Sequence, residues 1–346
     1  MGERVPDLEP AQLALVGETV VLETFRKMLL ARFFEDKISA LYRAGKVVGG
    51  VYLGRGQEAF SASLGIQLNQ EKGDIFAGLI RDQAGRMAFG ESLIDSARTY
   101  LGSVLGPMKG RDGNIHRGRP AEGMPAMISH LGASVSVVNG MLLAKQRSGR
   151  TDVVGAATAG DGATSTGAFH EAVNQAAVEK LPLVVSVANN QFAYSTSVDR
   201  QFACADLADR AIGYGISGYS INGVNLLESL ATFRTAIDAA RAGGGPQLIV
   251  GRLLRLAGHG EHDDARYVPD QLRDGEYGRD CIEAAKDQLQ RLGLASGAEI
   301  FALEEEAQTA INEAVAKAQG EPSPNPAEEQ WDSLSTSHLI EGFGTE

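Results

Sequence analysis

An α/β fold is what this 346-residue sequence predicts: a mainly parallel sheet with helices on both faces and a helical C-terminal extension. Three observations carry the prediction. The apolar runs at 183–188 and 247–252 are nearly continuous rather than alternating, the pattern of strands covered on both faces. Stretches of helical period, such as 166–180, separate such runs, as a βαβ crossover requires. Finally, the polar clusters Gly160-Asp161-Gly162 and Asn189-Asn190 each close an apolar run, at the carboxyl edge where open parallel sheets bind ligands.

Taken in order, the first 16 residues look like a polar lead-in, and the main domain is placed at 20–320, after a lead-in of 1–19. Between 18 and about 44, Val21, Leu22, Phe25, Met28, Leu29 and Phe33 recur at helical spacing. A Gly-rich connection (45–56) leads to a helix over 57–68, which Gly73-Asp74 stops, and 92–105 is again helical. The polar, Gly-rich passage 106–123 carries Lys109, Arg111, Asp112, Arg117 and Arg119; a loop of that length inside a domain is functional or mobile. Small residues over 134–145 predict a closely packed helix. Buried strands are expected at 152–159, 183–188, 215–221 and 247–252, with right-handed crossovers. Amphipathic helices over 279–292 and 300–318 form the extension, and the Pro-rich 321–326 opens an acidic tail, 321–346.

Composition narrows the function. A chain of this length buries roughly 75% of its unfolded surface and needs no disulfide or structural metal to fold. With 32 Lys and Arg against 44 Asp and Glu, the net charge is −12 and no basic cluster stands out. Nucleic acid and anionic membranes are poor partners for such a surface. No apolar stretch approaches the roughly 20 residues of a membrane span. No basic start followed by an apolar run resembles a signal peptide. Cys204 and Cys281, without CxxC spacing, read as free thiols of a reducing compartment, so a cytoplasmic protein is expected.

The chemistry gathers in residues 160–190. Asp161 and Asn190 lie 29 positions apart, the length of one βαβ unit, so both emerge at one edge of the sheet. Asp161 offers an anionic oxygen and Asn190 an amide oxygen, a set suited to Mg²⁺ or Ca²⁺. Gly162 and Ala163 lead into a helix, whose N-terminal amides favour a phosphate. A metal beside a phosphate implies a diphosphate bridged by Mg²⁺. The bland alternative is an Asp capping a helix and an Asn-Asn turn. Neither GxGxxG nor GxxxxGK[ST] occurs, which argues against a dinucleotide fold and a P-loop.

Together GDGATSTGAFHEAVNQAAVEKLPLVVSVANN (160–190), YLGRGQEAF (52–60), DIFAGLIRDQAG (74–85), GRDGNIH (110–116), NNQFAYSTS (189–197) and GHGEHDD (258–264) carry a family resemblance. From about 20 to 320 the chain resembles the alpha subunits of thiamine-diphosphate-dependent 2-oxoacid dehydrogenases, the pyruvate, branched-chain and acetoin family. The resemblance implies the three-layer thiamine-diphosphate-binding fold. It implies Mg²⁺ on Asp161, Asn190 and the Phe192 carbonyl, and the diphosphate on the amides of Gly162 and Ala163. It gives Arg81 a terminal phosphate and the Ser129 and Leu131 backbone the aminopyrimidine. His259 becomes the active-site histidine on a mobile loop, at the cofactor and able to stabilise or protonate a developing alcohol.

Several alternatives stand beside these roles. Arg81 could form a surface ion pair with Asp82, and Ser129 with Leu131 a plain turn. The crowd of His259, Glu261, His262, Asp263 and Asp264 could hold a metal. His116, His130 and His170 read as structural, although His116 lies in the long polar loop.

The resemblance further implies decarboxylation of a 2-oxoacid and transfer of the acyl group to a lipoyl-bearing acyltransferase component. The glutamate that activates the cofactor comes from a beta subunit in that family, and Glu58 matches an alpha-subunit position instead. An α2β2 assembly is therefore expected. Family members often carry Tyr where Ile80 stands. Gly260 replaces the regulatory serine of many eukaryotic relatives, so no phosphorylation switch is expected on that loop. The sequence leaves open an acetoin-type substrate, a non-catalytic paralogue acting in assembly, and a generic Mg²⁺–nucleotide module.

Overall fold

The structure, a computed structural model, describes residues 8–112 and 116–329. Helices α1 (Glu9–Val16), α2 (Glu18–Arg43) and α3 (Glu58–Gly65) precede strand β1 (Ile75–Ala77), followed by α4 (Gln83–Phe89) and α5 (Leu93–Leu101). Next come α6 (Ala133–Arg147), β2 (Gly155–Gly160), α7 (Gly167–Val178), β3 (Leu183–Asn189) and a small ribbon of β4 (Phe192–Ala193) with β5 (Thr196–Ser197). The chain continues through α8 (Arg210–Tyr214), β6 (Ser217–Asn222), α9 (Leu226–Arg241), β7 (Gln247–Arg252), α10 (Asp270–Arg273), α11 (Cys281–Arg291) and α12 (Gly297–Gln319).

Five strands pair in the order β1-β2-β3-β7-β6, every pair parallel. One row of the register runs Ala77–Ala157–Val185–Leu248–Gly218. Parallel strands must bury both faces, and two apolar layers do so. On one face Ala157, Val185, Val187 and Val250 meet Val138, Leu142, Phe169 and Val173 of α6 and α7. On the other, Phe76, Val184 and Ile249 meet Phe25 and Phe34 of α2, Phe60 of α3 and Leu230 and Phe233 of α9. The fold is therefore the three-layer α/β arrangement the sequence predicts. The small residues of β2 let α6 lie close: a Cβ on Gly155 would meet Val138 Cγ1 at 2.5 Å.

Several boundaries differ from expectation, each for a local reason. The lead-in contains α1, which fully buries only Val16. Strand β1 has three residues, too few for a periodic signal. The strand expected at 152–159 begins at Gly155. The strand expected at 215–221 is β6, and its edge position leaves only Ile221 fully buried. The first residues of the acidic tail are tied down: Glu321 accepts from Arg98 and from Ser103 Oγ at 2.6 Å, and Glu329 pairs with Arg111. Residues 330–346 of that tail lie outside the described residues.

A buried charge cluster anchors the polar loop. Glu91 accepts from Arg86 at 2.7 Å, from Arg117 at 2.7 and 2.8 Å, and from Ser96 Oγ at 2.9 Å. Burial raises its carboxyl, but Arg117 and Arg86 outweigh burial and hold it well below the usual carboxylate range. Glu91→Ala would strand two buried guanidinium groups, an expected loss of about 3–5 kcal/mol. Denaturant unfolding measures it, and a loss below about 1 kcal/mol would refute the anchoring role.

Candidate functional site

Four adjacent strands deliver polar residues to one edge. The chain leaving β1 carries Leu79, Arg81 and Asp82, β2 runs into Asp161, β3 into Asn190, and β7 into Arg255 and His259. These residues line a cavity of about 530 Å³. Ser129, Leu131, Ala163 and Phe192 line it too, so of the residues given a role at the metal or cofactor only Gly162 is not on the lining. Gly162 sits just behind the wall, where a Cβ would meet Ala193 Cβ at 2.5 Å.

Asp161 is 2% exposed and forms no ion pair among the described residues; Gln201 Nε2 donates to its Oδ2 at 3.0 Å. Burial pushes its pKa up to about 6 against the hydrogen bonds from Gln201 and the Gly162 amide. Asn190 donates through Nδ2 to Gln57 Oε1 at 3.2 Å, and its Oδ1 has only a long contact, 3.4 Å, to the Phe192 amide. The neighbouring Gln57 Nε2 is buried with no partner. Gln191 and Tyr194 bracket Phe192 with φ of 74° and 55°, a conformation few side chains adopt, and this kink brings the strand end back over the cavity.

Arg81 likewise forms no ion pair among the described residues. It donates through Nη1 to Leu53 O at 2.9 Å and through Nη2 to His259 O at 2.5 Å. Asp82 instead accepts from Ser61 Oγ and the Leu79 amide, both at 2.8 Å, and from Thr158 Oγ1 at 2.5 Å. The ion-pair alternative for Arg81 is thereby set aside. Gly54 is required beside it: a Cβ there would meet Arg81 O at 2.2 Å. Burial first, then the proximity of Arg255, lowers the pKa of Arg81 to about 10. Arg255 is 4% exposed and donates only to neutral oxygens, among them Tyr194 O at 3.0 Å and the Tyr267 hydroxyl at 2.5 Å. Two enclosed guanidinium groups with no ion pair among the described residues favour an anion in the cavity.

His259 packs edge-on against Tyr52 at 5.5 Å and lies 4.5 Å from the Tyr194 ring. Burial, then Arg81 and Arg255, push its pKa down to about 4. Its Nδ1 faces Arg81 Nη2 at 3.4 Å; an arginine only donates, so the neutral ring carries its proton on Nε2. The acidic crowd after it disperses into structural bonds. Glu261 accepts from Arg43, Asp263 accepts from the His259 amide and Tyr267 hydroxyl at 2.6 Å each, and Asp264 pairs with Arg266. Among the described residues no three His, Cys, Asp or Glu side chains gather as a metal site.

Sequence reasoning missed Arg255, Tyr52, Tyr194 and Gln57, which come from three separate loops, Tyr52 and Gln57 sharing the one between α2 and α3. Arg255 carried a signal, a charge three positions past a buried strand. Ser129 and Leu131 are exposed at the rim, and Leu131 O accepts from Thr166 Oγ1 at 3.3 Å, which joins that rim to the N-cap of α7.

Known proteins share this layout of sequence. Residues 26–327 match the family described as the dehydrogenase E1 component. The alpha subunit of acetoin:2,6-dichlorophenolindophenol oxidoreductase from Cupriavidus necator is 32% identical, over 92% of this chain and 95% of the relative. The pyruvate dehydrogenase E1 component subunit alpha of Rhizobium meliloti is 31% identical, over 94% and 95%. The 2-oxoisovalerate dehydrogenase subunit alpha of Bacillus subtilis is 32% identical, over 91% and 94%. On the extent of the family match and these full-length likenesses, the chain belongs to the dehydrogenase E1 component family.

Proposed function

We propose that the cavity binds thiamine diphosphate with Mg²⁺, and that this chain is the alpha subunit of a cytoplasmic enzyme that decarboxylates a 2-oxoacid. The observation that carries the reading is Asp161, a buried carboxylate in no ion pair among the described residues, beside Asn190 and Phe192. The donor set is all oxygen, as Mg²⁺ prefers. The unpartnered Gln57 Nε2 and the cradle at Gly162 fit a bound anion as well.

Asp161, Asn190 and the Phe192 carbonyl would hold the metal, and the amides of Gly162 and Ala163 would meet the diphosphate. Arg81 would take a terminal phosphate, with Arg255 as a second positive charge. Metal and guanidinium groups would then offset the charges of the diphosphate and Asp161. The bound cofactor supplies a carbon nucleophile and an electron sink for decarboxylation. His259, neutral and with its proton on Nε2, would donate a hydrogen bond toward a substrate oxygen. Leu79, Ile80, Met127 and Leu131 give the cavity an apolar wall for a short side chain.

No glutamate is among the cavity-lining residues, and Ser129 and Leu131 stand exposed at the rim. Both observations support a beta subunit that completes the site, in an α2β2 assembly that passes the acyl group to a lipoyl-bearing acyltransferase. The relatives named for acetoin and for 2-oxoisovalerate are equally similar at 32%, so an acetoin-type substrate is the second reading.

Calorimetric titration of thiamine diphosphate with and without Mg²⁺, into the chain coexpressed with its beta-type partner, tests the proposal. Metal-dependent binding is expected, followed by turnover of one member of a panel of 2-oxoacids and acetoin. No binding by a folded complex would favour the non-catalytic paralogue, and binding of ATP alone the nucleotide module.

A further inference from the structure

His116 belongs to a three-residue chain of hydrogen bonds that reaches the cavity. Its Nδ1 lies 2.9 Å from Asp112 Oδ2 and its Nε2 lies 2.6 Å from Ser129 Oγ, and Ser129 lines the cavity. A carboxylate only accepts, so Nδ1 keeps its proton for Asp112 and Nε2 is left to share a proton with the serine hydroxyl. An imidazole oriented by a third group and bonded to a hydroxyl is the arrangement that moves protons in acid–base sites.

Two members of the chain, His116 and Ser129, lie beside anchored residues. The residue after His116 is Arg117, 3% exposed and locked by Glu91 and by Gln83 Oε1 at 2.7 Å. On the other side, Leu131 is held by Thr166, two residues past Ser129. The His116 side chain is 38% exposed, so it can exchange protons with water. His259 is placed differently, enclosed by Tyr52, Tyr194 and two guanidinium groups.

We propose that Asp112, His116 and Ser129 form a proton relay from solvent to the oxygen of a carbonyl substrate in the cavity. The inference rests on the reading of the cavity as a site of addition to a carbonyl. As the carbonyl carbon gains its new bond, the π pair moves to oxygen, which takes the proton of Ser129 Oγ. Ser129 takes the Nε2 proton of His116 in its doubly protonated form, which leaves the ring neutral with Nδ1–H still donated to Asp112. Nε2 then regains a proton from solvent. Ser129 is the group that touches substrate; His116 and Asp112 act through it as positioning residues. His259 complements the relay: held neutral beside two guanidinium groups, it offers a hydrogen bond from Nε2–H but not the proton of an imidazolium.

The test uses the complex with its beta-type partner. His116→Ala and Ser129→Ala should each lower kcat by about 10²-fold or more, with thiamine diphosphate affinity by calorimetry within about twofold of wild type. Added imidazole should restore part of the rate in His116→Ala and none in the double variant; His116→Gln replaces the alanine variant if that fails to fold. Proton NMR of the cofactor-free complex should show a low-field imidazole N–H resonance that Asp112→Asn removes. Bound cofactor with wild-type turnover in both alanine variants would overturn the relay alone. So would a loss confined to cofactor affinity, or one that imidazole does not restore. A wild-type complex that binds no cofactor would instead sink the reading of the cavity, and with it the destination of the proton.

Discussion

Asp161→Asn is expected to stabilise the cofactor-free protein while abolishing Mg²⁺-dependent cofactor binding. Burial raises the carboxyl from 3.8 to about 6, so between these values the folded state binds more protons than the unfolded one. Stability therefore falls as pH rises through that window, and by neutral pH the charge costs about 3 kcal/mol. Asparagine keeps the shape and an oxygen for Gln201 but removes the charge. Calorimetric scans at pH 7.5 without metal should show a melting temperature higher by roughly 4 °C. The same scans at low pH, where Asp161 is protonated, should show little difference. With Mg²⁺ and thiamine diphosphate the order should invert, because ligand that binds only the wild type stabilises only the wild type. A variant less stable than wild type at neutral pH would mean that Asp161 holds the fold rather than a cation.

That opposition between stability and binding marks what was legible in the sequence. Asp161 and Asn190 could be placed together because one βαβ unit has a nearly fixed length, and the parallel register of β2 and β3 sets them on one edge. The apolar runs of β3 and β7 were equally plain, since both faces are buried. The roles suggested for Arg81 and His259 needed the family resemblance, because nothing in their local pattern separates them from surface residues. Tyr52, Gln57 and Arg255 were illegible for another reason: the first two sit on the connection from α2 to α3 and the third follows β7, and only the fold brings these segments to one cavity. Helix α9 is a different case. Its residues Leu226, Leu227, Leu230, Phe233, Ile237 and Ala240 follow the helical period after the Asn225 cap, and the sequence reading places no helix there. The His116 relay was hidden by distance along the chain, since Ser129 lies 13 residues from the ring it meets.

Arg81→Met should weaken cofactor binding by about 30- to 5 × 10³-fold, the range for truncating one partner of a buried charge pair. It should also raise the pKa of His259. The second effect follows from the causes that depress that imidazole: burial is the largest and cannot be relieved, but the positive charge of Arg81 comes next. Removing it moves the ring from about 4 toward its ordinary value, and ring-proton NMR in the absence of cofactor reads the shift directly. Binding of diphosphate to the wild type should move the ring in the same direction, because an anion between the two guanidinium groups screens both. Arg81→Lys separates charge from geometry. It retains the positive charge, so His259 stays low, yet it loses the fork that reaches both Leu53 O and His259 O, and affinity falls. Unchanged diphosphate affinity in Arg81→Met would remove Arg81 from the anion site. An unmoved His259 in that variant would show that burial alone sets its protonation.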